Sequence, residues 1–291
     1  ANLGIGLART GKRVLLIDAD PQASLTISLG YANPDDLPVT LTTLLQVTAQ
    51  IGAPRPGEGI LHHAEGVDLL PSNIELCSME MTLINVLSRE TTMKRLLEPL
   101  KKQYDYILID CPPSLELLTL NGLCAADSVL IPVQCEYYAL EGLSDLLSTV
   151  RIVKKKLNPS ITIEGVLLTM YDGRTNLSIQ VAEEVKHHFP GQVYATVIPR
   201  NVRLSEAPSH GKPALAYVLF DTAVSGASEK DQYNGKIVFD GVVESAKTAL
   251  ANGIPVGLGN DVGCPYITQY DFWWELCYFH KYCGVSNQFA L

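Results

Sequence analysis

Short apolar runs alternate with amphipathic stretches from residue 13 to residue 198, the pattern that parallel βαβ units leave in a sequence. Runs at Arg13–Asp18, Val67–Leu70, Tyr106–Asp110, Ser128–Pro132, Ile161–Thr169 and Val193–Ile198 predict strands. Thr91–Lys102, Leu115–Ala125, Gly142–Leu157 and Leu177–His188 predict helices between them. The fold class is therefore α/β, a mostly parallel sheet flanked by helices. Two of the strands end in aspartate, Asp18 and Asp110, and a turn containing proline follows each. Open parallel sheets bind ligands outside the carboxyl ends of their strands. Two acids at two such ends are what a magnesium–phosphate site requires. Taken singly, each reads equally well as a helix cap or turn residue.

Composition narrows the class. With 291 residues, 47% hydrophobic and 18% charged, the chain is globular and long enough for one large domain or two small ones. No apolar run of spanning length lacks a charge, so no membrane partner is expected. The first residues have no basic stretch ahead of their apolar positions and do not read as a signal peptide. Seven irregularly spaced cysteines fit free thiols in a reducing cytoplasm. A net charge of −9 argues against a generally basic nucleic-acid binder and leaves room for a local basic patch. The chain is also uneven: both Trp and five of the six Phe follow Tyr217, and no Arg follows Arg203. This places a boundary near residues 216–232 and predicts three parts: 1–217, a linker at 218–235, and 236–291.

Three runs carry a family resemblance. Val14–Thr26 (VLLIDADPQASLT) resembles the second nucleotide-binding motif of ParA/Soj-type partition ATPases. Tyr104–Ser114 (YDYILIDCPPS) resembles their Walker B strand and the switch after it. Ile198–Pro213 (IPRNVRLSEAPSHGKP) resembles the family's passage from a late strand into the loop beside the nucleotide base. The resemblance covers residues 1 to about 217 and implies a P-loop NTPase-like fold that hydrolyses ATP with Mg. It assigns Asp110 to magnesium through water, Asp18 to a second carboxylate near the metal, and Asp20 to orienting the attacking water. Gln22 belongs to the adjacent switch loop, and Pro199 and Arg200 fall where the family packs adenine and ribose.

The same resemblance places Ala1 just after the family's first strand and glycine-rich phosphate loop, and no G-x-x-x-x-G-K-[ST] occurs in the 291 residues. Without that loop's backbone donors and lysines, neither tight ATP binding nor hydrolysis is expected. A truncated gene or fragment is the expected cause, and a repurposed homologue the alternative. The absent strand is central in the family's sheet, so two apolar strands are expected to lack their shared partner.

The family's partners are non-specific nucleoid DNA, a ParB-like protein and a second copy in a homodimer, which implies a cytoplasmic, nucleoid-associated protein. Candidate phosphate contacts are Lys154, Lys155, Lys156, Arg174, Lys186 and Arg203, with Arg200 and Lys212 beside them. Lys154–Lys156 also read as a solvated helix end complementing the helix dipole, and Arg174 as a loop ion-pair donor.

Residues 236–291 resemble the last strand and helix of a metal-dependent amidohydrolase barrel, a helix–strand–helix remnant, on Ile254–Gly263 and Tyr270–Leu276. That resemblance makes Asp261 a metal ligand or general base. Cys277, His280 and Cys283 fan over more than about 100° of a helix and suit one zinc ion poorly. The function implied is a ParA-family partition ATPase. The alternatives are a non-enzymatic nucleoid- or partner-binding module and, behind it, a metal hydrolase.

Overall fold

Val14–Asp18 forms β1, and every one of its residues is buried. A strand buried on both faces reads as a near-continuous apolar run. Here Asp68–Leu70 (β3) lies parallel along one edge and Tyr106–Asp110 (β4) along the other. The two-residue β2, Leu61–His62, runs antiparallel to β3 and completes the order β2-β3-β1-β4. A second, parallel pair joins β5 (Ser128–Gln134) to β6 (Thr162–Thr169). The computed structural model describes residues 1–211 and 214, apart from 51, 53, 56, 85 and 138 and the side chains of 139–141 and 203. The predicted linker and amidohydrolase-like segment, with Asp261, Cys277, His280 and Cys283, lie outside the described residues, as does Lys212. Among the described residues no ladder joins β4 to β5, and β4 pairs with β1 alone.

The period of two along β1 sorts its side chains between two cores. Leu15 and Ile17 enter a cluster built with α3 (Leu41–Gln50), α4 (Leu76–Leu83), α5 (Thr92–Leu97) and α6 (Leu117–Ala125). Val14 and Leu16 face the other way, against α1 (Asn2–Arg9) and α2 (Ser24–Ser28). Asp18 continues that second series and therefore projects toward α1 and α2. Close approach of α1 depends on Gly4, because a Cβ there would stand 2.4 Å from Leu16 Cδ2. Ile131, Val133, Val166 and Leu168 of the second pair pack under α7 (Ala139–Lys156) and α8 (Asn176–His188). A further cluster of Leu123 and Cys124 with Val150, Val153 and Ile161 ties α6 to α7.

Two sequence readings change. The helix predicted over Thr91–Lys102 ends at Leu97: Glu98 still has helical φ and ψ and donates to Lys94 O (3.0 Å), but Pro99 has no N–H to continue the ladder. Val193–Ile198 is not a strand. It touches β6 through a Val193–Val166 bridge, with Tyr194 N donating to Val166 O (2.9 Å) and Ile198 N to Leu168 O (2.8 Å), and a Pro199–Tyr171 bridge follows just past the end of β6. The ring of Tyr194 occupies the space above Gly165, where a Cβ would lie 2.6 Å from it.

At the opposite end of β1, Arg13 N and Nη2 donate to the two oxygens of Asp105, each at 2.9 Å, clipping the starts of β1 and β4 together. The bonds from Arg13 hold Asp105 down at about 2, below its value of about 3.9 in an unfolded chain. The clip therefore contributes fully above about pH 4 and is lost as pH falls toward 2. In Arg13→Gln, the Asp105 carboxyl is expected to rise from about 2 part of the way toward about 4, because the backbone N–H of residue 13 still donates to it, read by carbon NMR of the side chain. A value still near 2 would assign the depression to another group.

Candidate functional site

Register brings the first two acids together. Asp18 pairs with Asp110 across β1 and β4, so both carboxylates leave the carboxyl end of the sheet on the same face. Asp18 is 0% exposed, and both of its oxygens are already satisfied. Thr26 donates twice to Oδ2, from its N (2.8 Å) and its Oγ1 (2.7 Å), and Asp20 N donates to Oδ1 (3.3 Å). Thr26 is itself held by Ser72 N, which donates to Oγ1 at 3.2 Å. Burial raises the Asp18 carboxyl above the usual range, and the Thr26 bonds pull the other way. Asp110 ends β4 as an exposed residue, and partial desolvation of its carboxyl together with the nearby Asp20 raises it above the usual range.

Asp20 opens a tight turn. Its Oδ1 accepts from Gln22 N (2.9 Å), and its carbonyl accepts from Ala23 N (2.9 Å). Ala23 enters α2 with φ of 53°, a left-handed conformation that costs a residue with a Cβ roughly 1–2 kcal/mol. Gln22 stands exposed on this turn. The third motif is anchored to the second strand pair: Arg200 N donates to Tyr171 O (3.0 Å), and the Arg200 guanidinium pairs with Glu136 just after β5. Residues Ala207–His210 then pack on α2, and Ala214 N donates to Asn2 Oδ1 (2.9 Å). The chain from Pro199 to Ala214 thus links the carboxyl ends of β5 and β6 to the elements around Asp18.

The donor set fits a hard cation. Magnesium takes oxygen ligands, keeps several waters and needs only one or two carboxylates when a phosphate supplies the rest. Asp110, at the strand end with Asp20 nearby, is a carboxylate of the kind such an ion takes. Asp18, with three protein donors and no exposed surface, is placed to orient the neighbouring turn instead. Among the described residues there is no grouping of three or more His, Cys, Asp or Glu able to hold a metal alone. Cys111, next to Asp110, is pushed up to about 12 by burial and packs over Gly122. Among the described thiols Cys77 is the exposed one. Iodoacetamide at pH 8 is expected to label Cys77 well before Cys111, Cys124 and Cys135, read by peptide mapping. Early labelling of Cys111 would mean that the strand end opens.

The basic candidates divide between the two ends of the second strand pair. Lys154–Lys156 close α7 and Lys186 lies in the last turn of α8, all exposed and toward the amino end of β6. Arg174 lies beyond the carboxyl end of β6, in a two-bond ion pair with Asp172 (2.9 and 2.8 Å) that holds Asp172 at about 2. Of Arg203, only its backbone place in the short helix Val202–Glu206 (α9) is described. Sequence reasoning missed Thr26 and Ser72; the signal for Thr26 was an uncharged hydroxyl eight residues after Asp18, on the first turn past the acidic loop.

Among the described residues, no helix is long and apolar enough to cross a membrane. A family model described as AAA domain matches residues 1–163. The sporulation initiation inhibitor protein Soj of Bacillus subtilis is 56% identical over 216 residues, 74% of this chain and 83% of that protein. The chromosome partitioning protein ParA of Myxococcus xanthus is 48% identical over 218 residues, covering 74% of this chain and 75% of its own length. Among solved structures, the Mycobacterium smegmatis protein described as cobyrinic acid a,c-diamide synthase with bound ADP and magnesium superimposes with a TM-score of 0.64. It is 40% identical and covers 74% of this chain and 82% of its own. Parallel strands ending in paired aspartates and an acidic turn lie within the span that these relatives share, and the chain belongs to the ParA/Soj-type partition ATPase family of P-loop NTPases.

Proposed function

We propose that this chain works in DNA partitioning by ATP-dependent binding to nucleoid DNA, as a cytoplasmic homodimer with a ParB-like partner. The in-register pair Asp18–Asp110, with Asp20 on the adjacent turn, is the observation that carries the reading. Bound magnesium would neutralise charge on the transferring phosphate. Asp110 would hold that ion through water, and Asp20 would orient the attacking water. Asp18, fixed by Thr26, would keep Asp20 in place through its bond to Asp20 N. Gln22 would respond to nucleotide on the exposed turn, and Pro199 and Arg200 would border adenine and ribose. Lys154–Lys156 and Lys186 are the better phosphate contacts for DNA, because the charge of Arg174 is engaged by Asp172.

These 291 residues contain no phosphate loop to cradle the β- and γ-phosphates. Equilibrium binding of a fluorescent ATP analogue with magnesium tests the reading. The 291-residue polypeptide is expected to bind weakly and not to hydrolyse ATP. The same polypeptide preceded by a family strand and phosphate loop is expected to bind tightly, with loss in Asp110→Asn. Equal, weak binding by both would favour the non-enzymatic nucleoid- or partner-binding module.

A further inference from the structure

Helix α4 carries apolar residues on its buried side and, beside Ser78 and Thr82, on part of its outer side as well. Leu76, Met79 and Leu83 are buried in the main core. A surface helix ordinarily turns charge toward water on its other face. Here that face presents Ile74 (53% exposed), Cys77, Met81 (72%) and Ile84 (49%), followed in the next turn by Leu87 (92%). Cys77, Met81 and Ile84 recur at four and three residues along α4 and its cap, and Ile74 and Leu87 add exposed apolar side chains just before and just after the helix.

The surroundings of these side chains are acidic. Between Val14 and Ser88 the one Lys or Arg is Arg55, and of the nine acids in that span Asp35, Asp36, Glu75 and Glu80 lie on α4 or in the turns leading to it. Asp35 reaches the start of this face, accepting from Ile74 N at 3.3 Å, with Asp36 beside it in the same short turn and Glu75 exposed at the helix start. At the far end the Arg89 guanidinium is engaged, donating to Ile84 O (3.1 Å) and to Glu90 (3.2 Å).

We infer that the outer face of α4 docks a cationic amphipathic helix of a protein partner, its apolar side on Ile74, Met81, Ile84 and Leu87 and its lysines or arginines on Asp35, Asp36 and Glu75. Charge selects this occupant. A second copy whose two-fold axis passed through the acidic rim would set like groups against each other. Anionic lipid headgroups and nucleic-acid phosphates are repelled by the same rim.

The test needs neither ATP nor magnesium, so its failure is separate from failure of the ATPase reading. The probe is a fluorescein-labelled 18-residue synthetic peptide with leucine on one helical face and lysine on the other, titrated with the full chain. Anisotropy should show saturable binding that weakens between 50 and 300 mM salt, roughly as a Debye length shrinking below about 10 Å requires. Met81→Lys/Ile84→Lys is expected to weaken binding about tenfold or more, and Asp35→Asn/Asp36→Asn/Glu75→Gln to weaken it and flatten the salt dependence. Leu177→Lys, an equally exposed apolar position on α8, should leave binding unchanged. All of these side chains point outward, and unchanged thermal melts confirm that each variant folds. Equal binding by the Met81→Lys/Ile84→Lys variant, or by a peptide with glutamate in place of lysine, would overturn the inference. So would a dimer in sedimentation, or binding to phosphatidylglycerol vesicles, that Met81→Lys abolishes.

Discussion

Leu16→Ala is expected to destabilise the chain by about 3–5 kcal/mol, the range for a fully buried leucine whose cavity cannot collapse. Leu16 is 1% exposed, in the middle of a strand paired on both edges, so the backbone around it has little freedom to close in. Its Cδ2 fills the space that a side chain at Gly4 would need. Gly4→Ala alone is therefore expected to cost about 1–3 kcal/mol by overpacking, despite the roughly 1 kcal/mol by which alanine favours a helix over glycine. Combined with Leu16→Ala, the same methyl enters a void and its helix preference is realised. The double variant should be more stable than the two losses predict by about 2 kcal/mol or more, measured by urea denaturation at constant m. Additive losses would mean that α1 does not rest on β1 through this contact.

The second large effect concerns hydrolysis. In the polypeptide carrying a preceding strand and phosphate loop, Asp20→Ala is expected to lower kcat about 10²–10⁴-fold, the usual contribution of a group that positions or deprotonates a nucleophile. ATP affinity should stay within about threefold, because Asp20 does not hold the phosphates. The turn survives loss of the Asp20 side chain through the Ala23 N to Asp20 O bond, which uses only backbone. Single-turnover hydrolysis beside equilibrium binding separates the two quantities. A parental rate in Asp20→Ala would remove the role assigned by resemblance and leave Asp110 and Gln22 to account for the water.

The acids at the strand ends were legible because parallel strands leave apolar runs, fully buried in β1 and half-buried along the middle of β4, and Asp18 and Asp110 are where those runs stop. Their register was not legible. It depends on which strands are neighbours, and β3 and β4 come from distant parts of the chain. The short helices α2, α3 and α4 escaped a reading by periodicity because threonine, serine and outward apolar residues blur their faces. Val193–Ile198 looked like a strand because it is apolar and β-branched, whereas its hydrogen bonds reach β6 only near its two ends. The basic set was legible as charge, and its division was not: the partner of Arg174 is two residues away, in a loop whose geometry the sequence does not display.

The Arg13–Asp105 clip also has a meaning in time. Its halves stand 92 positions apart, and β1 obtains both of its neighbours only once Asp68–Leu70 and Tyr106–Asp110 exist. At about 5–20 residues per second, a ribosome needs roughly 5–20 s to deliver the second half. During that interval β1 is an apolar strand with at least one bare edge, and association with another nascent chain competes with folding. Synthesis rate, more than equilibrium stability, should therefore govern how much of this protein emerges soluble. Slow codons after position 110 would favour the native pairing, and slow codons before it would prolong the exposed state.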